Sequence, residues 1–149
     1  MVIVAGMVAA GSPALAAPAA SGNCITRAVK FKASEEDKVA QTSSSSYVTV
    51  GGTEINITQG APGCIVVSFT ADARAEFPGV FVDVAVYVDG DRCRAGTFTT
   101  VSFDFLTTTL TAVCQVAAGA RTVQVKYRRA KSEGFVKLRN YTTSVHYLP

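Results

Sequence analysis

His146 is the only histidine in the sequence, so it is the first residue to consider for catalysis. It lies between Val145 and Tyr147 in an alternating segment near the end of the chain, and this pattern predicts that it points from a strand into solvent. A serine or cysteine nucleophile needs a histidine that is oriented by an acid and lies within hydrogen-bond reach. The sequence has no Gly-x-Ser-x-Gly motif either, so we predict no catalytic triad.

The acidic residues are sparse, and each has a simple structural interpretation. Asp83 alternates with valines on the outward side of a strand, Asp89 and Asp91 flank a turn glycine, and Asp104 lies between two phenylalanines. Glycoside hydrolysis needs two converging carboxylates, and calcium needs a denser cluster of oxygens than one Asp-Gly-Asp turn provides. We therefore predict no catalytic residue, no metal site and no cofactor.

Basic residues dominate positions 121–139, where Glu133 is the only acid. Two alternating pairs lie on successive predicted strands, so a hairpin would place four cations on one outward face. The predicted patch consists of Lys126, Arg128, Lys137 and Arg139 together with Phe135 and Tyr141. Such a patch can bind an anionic polymer, for example cell-wall phosphates or acidic glycans. It can also protect a sheet edge against aggregation, which is the interpretation that we favour, and the sequence leaves both open.

Four cysteines, Cys24, Cys64, Cys93 and Cys114, favour two disulfides in an exported chain. Three pairings are possible, and we favour Cys93 with Cys114 and Cys24 with Cys64 on loop-closure grounds. No pair has the Cys-x-x-Cys spacing that is typical of a metal site.

The first residues resemble an export signal. Residues 1–10 are apolar and uncharged, Gly11-Ser12-Pro13 interrupts them, and Ala14-Leu15-Ala16 has the pattern that signal peptidase recognises, although a basic segment is missing at the start. A membrane anchor would need a longer uninterrupted run. We predict a signal peptide and small-residue tail over 1–22, an arm over 23–46 and one sandwich domain over 47–149, secreted or in the cell envelope, with no transmembrane segment in the mature chain.

The elements that must position these residues are strands. The chain has 149 residues, is 48% hydrophobic and 17% charged, and has a net charge of +3, too small to indicate nucleic-acid binding. Val80–Val88 alternates valine with other residues, and similar segments predict an all-β fold, an antiparallel two-sheet jelly-roll-like sandwich of about eight or nine strands. Gly51-Gly52 predicts a hairpin between 47–50 and 53–58. Residues 99–105 predict a strand with Phe105 inward, and a change of parity predicts a bulge near Asn140.

The second half of the chain also carries a familiar motif pattern. It runs from Val84 to Asp91 (VAVYVDGD), through Ala118 to Arg128 (AGARTVQVKYR), to Val136–Tyr147 (VKLRNYTTSVHY). These segments resemble a group of bacterial secreted proteins that are similar in outline to jelly-roll domains of the C1q and tumour-necrosis-factor type. The resemblance implies the fold over residues 80–149 and implies no catalytic residues.

Three functions follow from these features. We favour an exported, non-catalytic module that binds a cell surface, a glycan or a protein partner. A self-assembling, trimeric jelly roll is the alternative, with Phe81, Tyr87 and Leu106 as outward apolar contacts. A glycan-directed hydrolase is the third, and it requires the four aspartates to converge.

Overall fold

The computed structural model describes residues 30–98, 104–130 and 133–149, and in these ranges the chain forms ten strands and no helix. Sheet 1 contains β1 (Lys30–Glu36), β2 (Ala40–Thr42), β5 (Gly63–Ala75), β8 (Leu106–Val116) and β10 (Val136–Tyr147). Sheet 2 contains β3 (Val48–Thr49), β4 (Ile55–Gln59), β6 (Phe81–Val88), β7 (Asp91–Phe98) and β9 (Gly119–Ala130). The all-β prediction is confirmed, with ten described strands where about eight or nine were expected.

The strand order is that of a jelly roll. Sheet 1 runs β1-β10-β5-β8, with β2 also beside β10. Sheet 2 runs from β3 and β4, which both pair with β9, through β6 to β7. Every pairing is antiparallel, and the chain crosses between the sheets six times, so neighbours in a sheet are mostly distant in sequence.

The core fills the space between the two sheets. Val82, Val84 and Val86 of β6 are fully buried, as the alternation predicted. Phe69 of β5 is also fully buried, and its ring lies 6.2 Å from those of Phe98 and Tyr141. Burying one such large side chain contributes about 1.5–3 kcal/mol, so these inward rows are the main source of stability.

A disulfide between Cys93 and Cys114 joins the two sheets at one side of the sandwich. Cys93 is in β7 and Cys114 in β8, each an edge strand, and their Cα atoms are 5.5 Å apart. This pairing confirms the first predicted bridge. Cys64 is disulfide-bonded as well, but Cys24 lies outside the described residues, so the Cys24–Cys64 pairing stays a prediction. The predicted signal peptide also lies outside them.

The hairpin predicted around Gly51-Gly52 is wrong. β3 and β4 do not pair with each other; they lie one after the other along β9, with Val48 opposite Tyr127 and Ile55 opposite Val123. The buried Thr53 hydroxyl explains the arrangement, since it donates to the Val50 carbonyl at 2.7 Å and accepts from the Val125 amide at 3.2 Å. This contact holds the two-glycine loop against β9. The loop therefore separates β3 from β4 along the same side of β9, and the chain keeps its direction.

The parity change near Asn140 is confirmed as a β-bulge in β10. The pairing with β5 shifts between Arg139 and Thr142, and Asn140 has a φ of +47°, which asparagine tolerates better than most residues. The bulge turns Tyr141 inward, where its hydroxyl donates to the Gly51 carbonyl at 2.9 Å. The prediction that Tyr141 faces outward is therefore wrong, and burial raises the pKa of its phenol.

Candidate functional site

The basic pairs predicted to share a hairpin lie on opposite outer faces of the sandwich. β9 belongs to sheet 2 and β10 to sheet 1, so the connection between them crosses the core. Val125 of β9 and Leu138 of β10 are both buried between the sheets, and the alternate residues therefore point in opposite directions. The predicted hairpin is wrong, and the four cations do not form one patch.

On sheet 2 the outward pair joins two aromatic rings in a group that we call the tyrosine cluster. Its members are Tyr47, Asp83, Tyr87, Lys126 and Arg128. The Lys126 ammonium lies 4.4 Å from the Tyr87 ring centroid, and the Arg128 guanidinium carbon lies 4.7 Å from that of Tyr47. The two rings meet edge to face, with centroids 6.0 Å apart. The cluster is thus a continuous aromatic and cationic surface across β6, β9 and the residue that precedes β3.

The register of sheet 2 builds this cluster. Asp83 and Tyr87 alternate with the buried valines of β6, so both point outward, and Asp83 lies directly opposite Arg128 in the β6–β9 pairing. Tyr47 precedes β3 on the other side of β9. The sequence indicated that Asp83 and Tyr87 point outward. It did not indicate which strands pair with β9, so Tyr47 was not predicted as a member of this cluster.

Two positive charges meet one negative charge in the tyrosine cluster. Arg128 donates from Nε to Asp83 Oδ2 at 3.0 Å, and this hydrogen bond is the main cause of the raised pKa of Arg128. Among the described residues, no carboxylate forms a salt bridge with Lys126. Lys126 therefore provides a net positive charge that an external anion can neutralise.

The other pair is part of a second group on the outer face of sheet 1, which we call the phenylalanine cluster. Its members are Asp72, Arg74, Phe105, Phe135, Lys137 and Arg139. The Arg139 guanidinium carbon lies 3.8 Å from the Phe105 ring centroid, and that of Arg74 lies 5.3 Å from it. The Lys137 ammonium lies 4.8 Å from the Phe135 centroid. Phe105 was predicted to face inward; it instead supports two outward guanidinium groups.

The aspartate of the phenylalanine cluster already has several partners. Asp72 accepts hydrogen bonds from the Thr107 hydroxyl at 2.6 Å and from the Asn140 amide at 2.9 Å, and it lies 3.5 Å from Arg139 Nε. These contacts, the Thr107 hydrogen bond foremost, lower the pKa of Asp72. The carboxylate is therefore ionised at neutral pH and fixed in place, and it neutralises one of the three cations around it.

A cleft of about 400 Å³ lies beside the disulfide, between the β6–β7 and β8–β9 turns. Asp89 accepts from the Thr122 amide and from Arg121, each at 2.8 Å, and both contacts lower its pKa, the backbone hydrogen bond most. Arg121 also donates to the carbonyls of Ala117 and Ala118 at 3.0 and 2.7 Å. Asp89 and Arg121 therefore connect the two turns and are already paired with protein groups. The cleft is for this reason a weaker candidate for ligand binding than the two clusters.

Of the aspartates considered for hydrolysis, Asp89 and Asp91 line the cleft beside the disulfide, and Asp83 belongs to the tyrosine cluster. Asp83 and Asp89 lie six residues apart along one strand and its turn, about 20 Å in extended chain, and each has a basic partner. The part of the chain that the structure describes has no group of three or more side chains suited to a metal ion. His146 is exposed, as predicted, and its ring lies 5.0 Å from that of Phe31.

The three apolar residues proposed for self-assembly do not form one surface. Phe81 and Tyr87 lie at opposite ends of β6 in sheet 2, and each is half-buried. Leu106 begins β8 in sheet 1, opposite the buried Ala73. The expectation that they gather into one contact is wrong.

Comparison with known proteins supports the fold. No protein-family model matches this sequence, and no curated protein matches it. The chain is similar to VP2 in a subviral particle of infectious bursal disease virus, with 11% identity and a TM-score of 0.58, covering 80% of this chain and 32% of that one. It is similar to latent PorU from Porphyromonas gingivalis, with 8% identity and a TM-score of 0.52, covering 78% of this chain and 12% of that one.

A carbohydrate-binding module of lichenase 5A from Cellvibrio mixtus, solved with cellotriose, matches with 11% identity and a TM-score of 0.46, covering 79% of this chain and 98% of that one. From the coverages given above, the chain spans about a third of the VP2 chain and about an eighth of the PorU chain. At these identities the similarity to VP2 and PorU shows a shared fold. No helix long and apolar enough to cross a membrane occurs within the described ranges.

Proposed function

We propose that this chain is an exported, non-catalytic module that binds an acidic polysaccharide through the tyrosine cluster. The observation that carries the proposal is the Lys126 ammonium on the Tyr87 ring, in an outward surface where no described carboxylate pairs with it. The Cys93–Cys114 disulfide and the predicted signal peptide support a location outside the cytoplasm. The narrower resemblance to C1q and tumour-necrosis-factor jelly rolls remains part of this proposal.

The chemistry of the cluster suits a sugar that carries a carboxylate. Tyrosine rings are large, rigid contact surfaces with one polar atom each, so they can pack against the C–H face of a pyranose ring and hydrogen-bond its hydroxyls. Lys126 supplies the charge for the carboxylate, and charge-assisted hydrogen bonds are about twice as strong as neutral ones. A glycerol-phosphate polymer offers charge without sugar rings in its backbone, so the aromatic surface favours an acidic polysaccharide.

A binding measurement with matched polymers tests the proposal. Affinity electrophoresis should show retardation by polygalacturonate and none by uncharged dextran, and the retardation should weaken as salt rises. Lys126→Ala and Tyr87→Ala should each weaken binding about tenfold, equivalent to about 1.4 kcal/mol. Lys38→Ala removes the same charge from an 83% exposed loop residue that pairs with Glu36, and it should leave binding unchanged.

The control polymers decide between ligand classes. Equal retardation by polygalacturonate and by a glycerol-phosphate polymer would show that charge alone is recognised, against the proposed sugar contact. Wild-type protein that ignores polygalacturonate at low salt, or Lys126→Ala and Lys38→Ala variants with identical losses, would contradict the proposal.

Self-assembly is a second candidate, and one feature of sheet 1 favours it. Phe31, His146, Val66 and Val113 lie in register across four strands and point outward. Phe31 and Val113, at the two ends of the row, are 58% and 48% exposed, so the row presents apolar surface to solvent. Exposed apolar rows are typical of interfaces. Light scattering should then show a concentration-dependent oligomer that Phe31→Ser abolishes; a monomer at millimolar concentration would remove this candidate.

A further inference from the structure

We infer that the phenylalanine cluster is a second surface for the same acidic polysaccharide, so that one copy of this domain bridges two polymer chains. The inference rests on the proposed function for the class of ligand. It rests on the structure for the number and placement of the surfaces, because the cations of β9 and β10 are divided between opposite outer faces.

The phenylalanine cluster has the charge that such a surface needs. Arg74, Lys137 and Arg139 lie on this face, where the Asp72 carboxylate pairs with Arg139 and the Glu76 carboxylate accepts from the Phe135 amide at 3.2 Å. The Asp72 carboxylate is already hydrogen-bonded by Thr107 and Asn140. Within the described part of the chain Lys137 has no salt-bridge partner, and its ammonium lies on the Phe135 ring. Charge complementarity therefore points to an anionic occupant.

The cations of this cluster are held before any ligand arrives. Arg139 stacks on Phe105 at 3.8 Å and is half-buried, so its guanidinium loses less side-chain freedom on binding than a free surface arginine does. The register places Lys137 opposite Arg74 and Arg139 opposite Asp72 on neighbouring strands. Aromatic surface and positive charge thus recur together, as in the tyrosine cluster, although the two clusters share no residue.

The placement of the two clusters prevents one stiff polymer segment from occupying both. The sheets of a sandwich are about 10 Å apart, and each cluster points away from the other. A polysaccharide that lies on the outer face of sheet 2 would have to turn around an edge of the sandwich to reach sheet 1. Two separate chains, or distant parts of one long chain, can bind without bending. The consequence is bridging, with avidity when both faces engage one network.

Site counting and bridging are measured separately to test the inference. Titration calorimetry with a short oligogalacturonate should give two sites per wild-type protein. Particles coated with polygalacturonate should agglutinate when wild-type protein is added, and light scattering reports the rate. Lys137→Ala with Phe135→Ala should leave one calorimetric site and abolish agglutination, and Lys126→Ala with Tyr87→Ala should do the same from the other face. All four substitutions together should remove binding.

The outcomes separate this inference from the function on which it depends. Wild-type protein without any oligogalacturonate site would overturn the proposed function and this inference together. One site per protein, with a Lys137→Ala and Phe135→Ala variant that binds as wild type does, would overturn the inference alone. Agglutination that survives in both two-residue variants would also overturn it, because bridging would then come from self-association. Thermal unfolding of each variant within a few degrees of wild type establishes that the domain is folded.

Discussion

Replacing both cysteines of the inter-sheet bridge, in a Cys93→Ala and Cys114→Ala double variant, should destabilise the domain by an amount set by loop length. The bridge joins residues 21 positions apart in sequence. Closing a loop of that length lowers the entropy of the unfolded chain enough to stabilise the folded state by about 3 kcal/mol at room temperature. For a domain of this size, that loss corresponds to a fall in Tm of about 6–12 °C.

Urea unfolding followed by circular dichroism measures this loss directly. The double variant should unfold at lower urea with the same native spectrum, and its m value should rise slightly because the unfolded chain is less constrained. Chemical reduction is not an equivalent perturbation, because Cys64 is disulfide-bonded as well and a reductant would act on that bridge too. The double variant changes one bridge only.

A loss of less than about 1 kcal/mol would refute the loop-entropy reasoning. A native spectrum that changes would refute a different part of it, since β7 and β8 would then depend on the bridge for their position. The structure gives each strand its own neighbour, β6 for β7 and β5 for β8, and these pairings predict that both strands stay in place.

Two further predictions test the core and the turns. Phe69→Ala should destabilise the domain by about 3–5 kcal/mol, since the ring is fully buried against Phe98 and Tyr141, while Phe31→Ala, at an exposed position, should cost about 0.5 kcal/mol or less in urea unfolding. The folded-state pKa of Asp89 is lowered below 3.8, so its contribution to stability is complete above about pH 4 and is lost as the pH falls further; Asp89→Asn should therefore flatten the acid side of the stability curve, and an unchanged acid side would contradict the assignment.

Alternation identified the fold and the faces of strands, because a two-residue period is a local property of the sequence. The valines of β6 show it most clearly, and each of the inward positions predicted there is buried. β7 was missed because it is an edge strand whose sequence, DRCRAGTF, has only Cys93 and Ala95 in apolar alternation. Its hydrogen bonds to β6 and its disulfide to β8 hold it in place, and neither shows in a local pattern.

The partner of each strand could not be read from local pattern, and this limited the prediction of the site. Alternation tells which residues of β9 point outward but not which sheet contains it, so Lys126 and Lys137 were assigned to one face. Strands adjacent in sequence are often hairpin partners, but most consecutive strands of this jelly roll do not pair with each other. The same limit hid Tyr47, whose role depends on contact with a residue 40 positions later in the chain, Tyr87.

The bulge at Asn140 determines where the length of β10 can change. On its N-terminal side the even-numbered residues Val136 and Leu138 face the core, and on its C-terminal side the odd-numbered residues Tyr141 and Val145 do. Asn140 is the extra residue between these two frames, so deleting it would leave every other side chain on its present face. A deletion at any other interior position of β10 would move inward-facing side chains to the outer face, and outward-facing ones to the core, over part of the strand. Among relatives of this domain, insertions and deletions in the last strand should therefore collect at this one position.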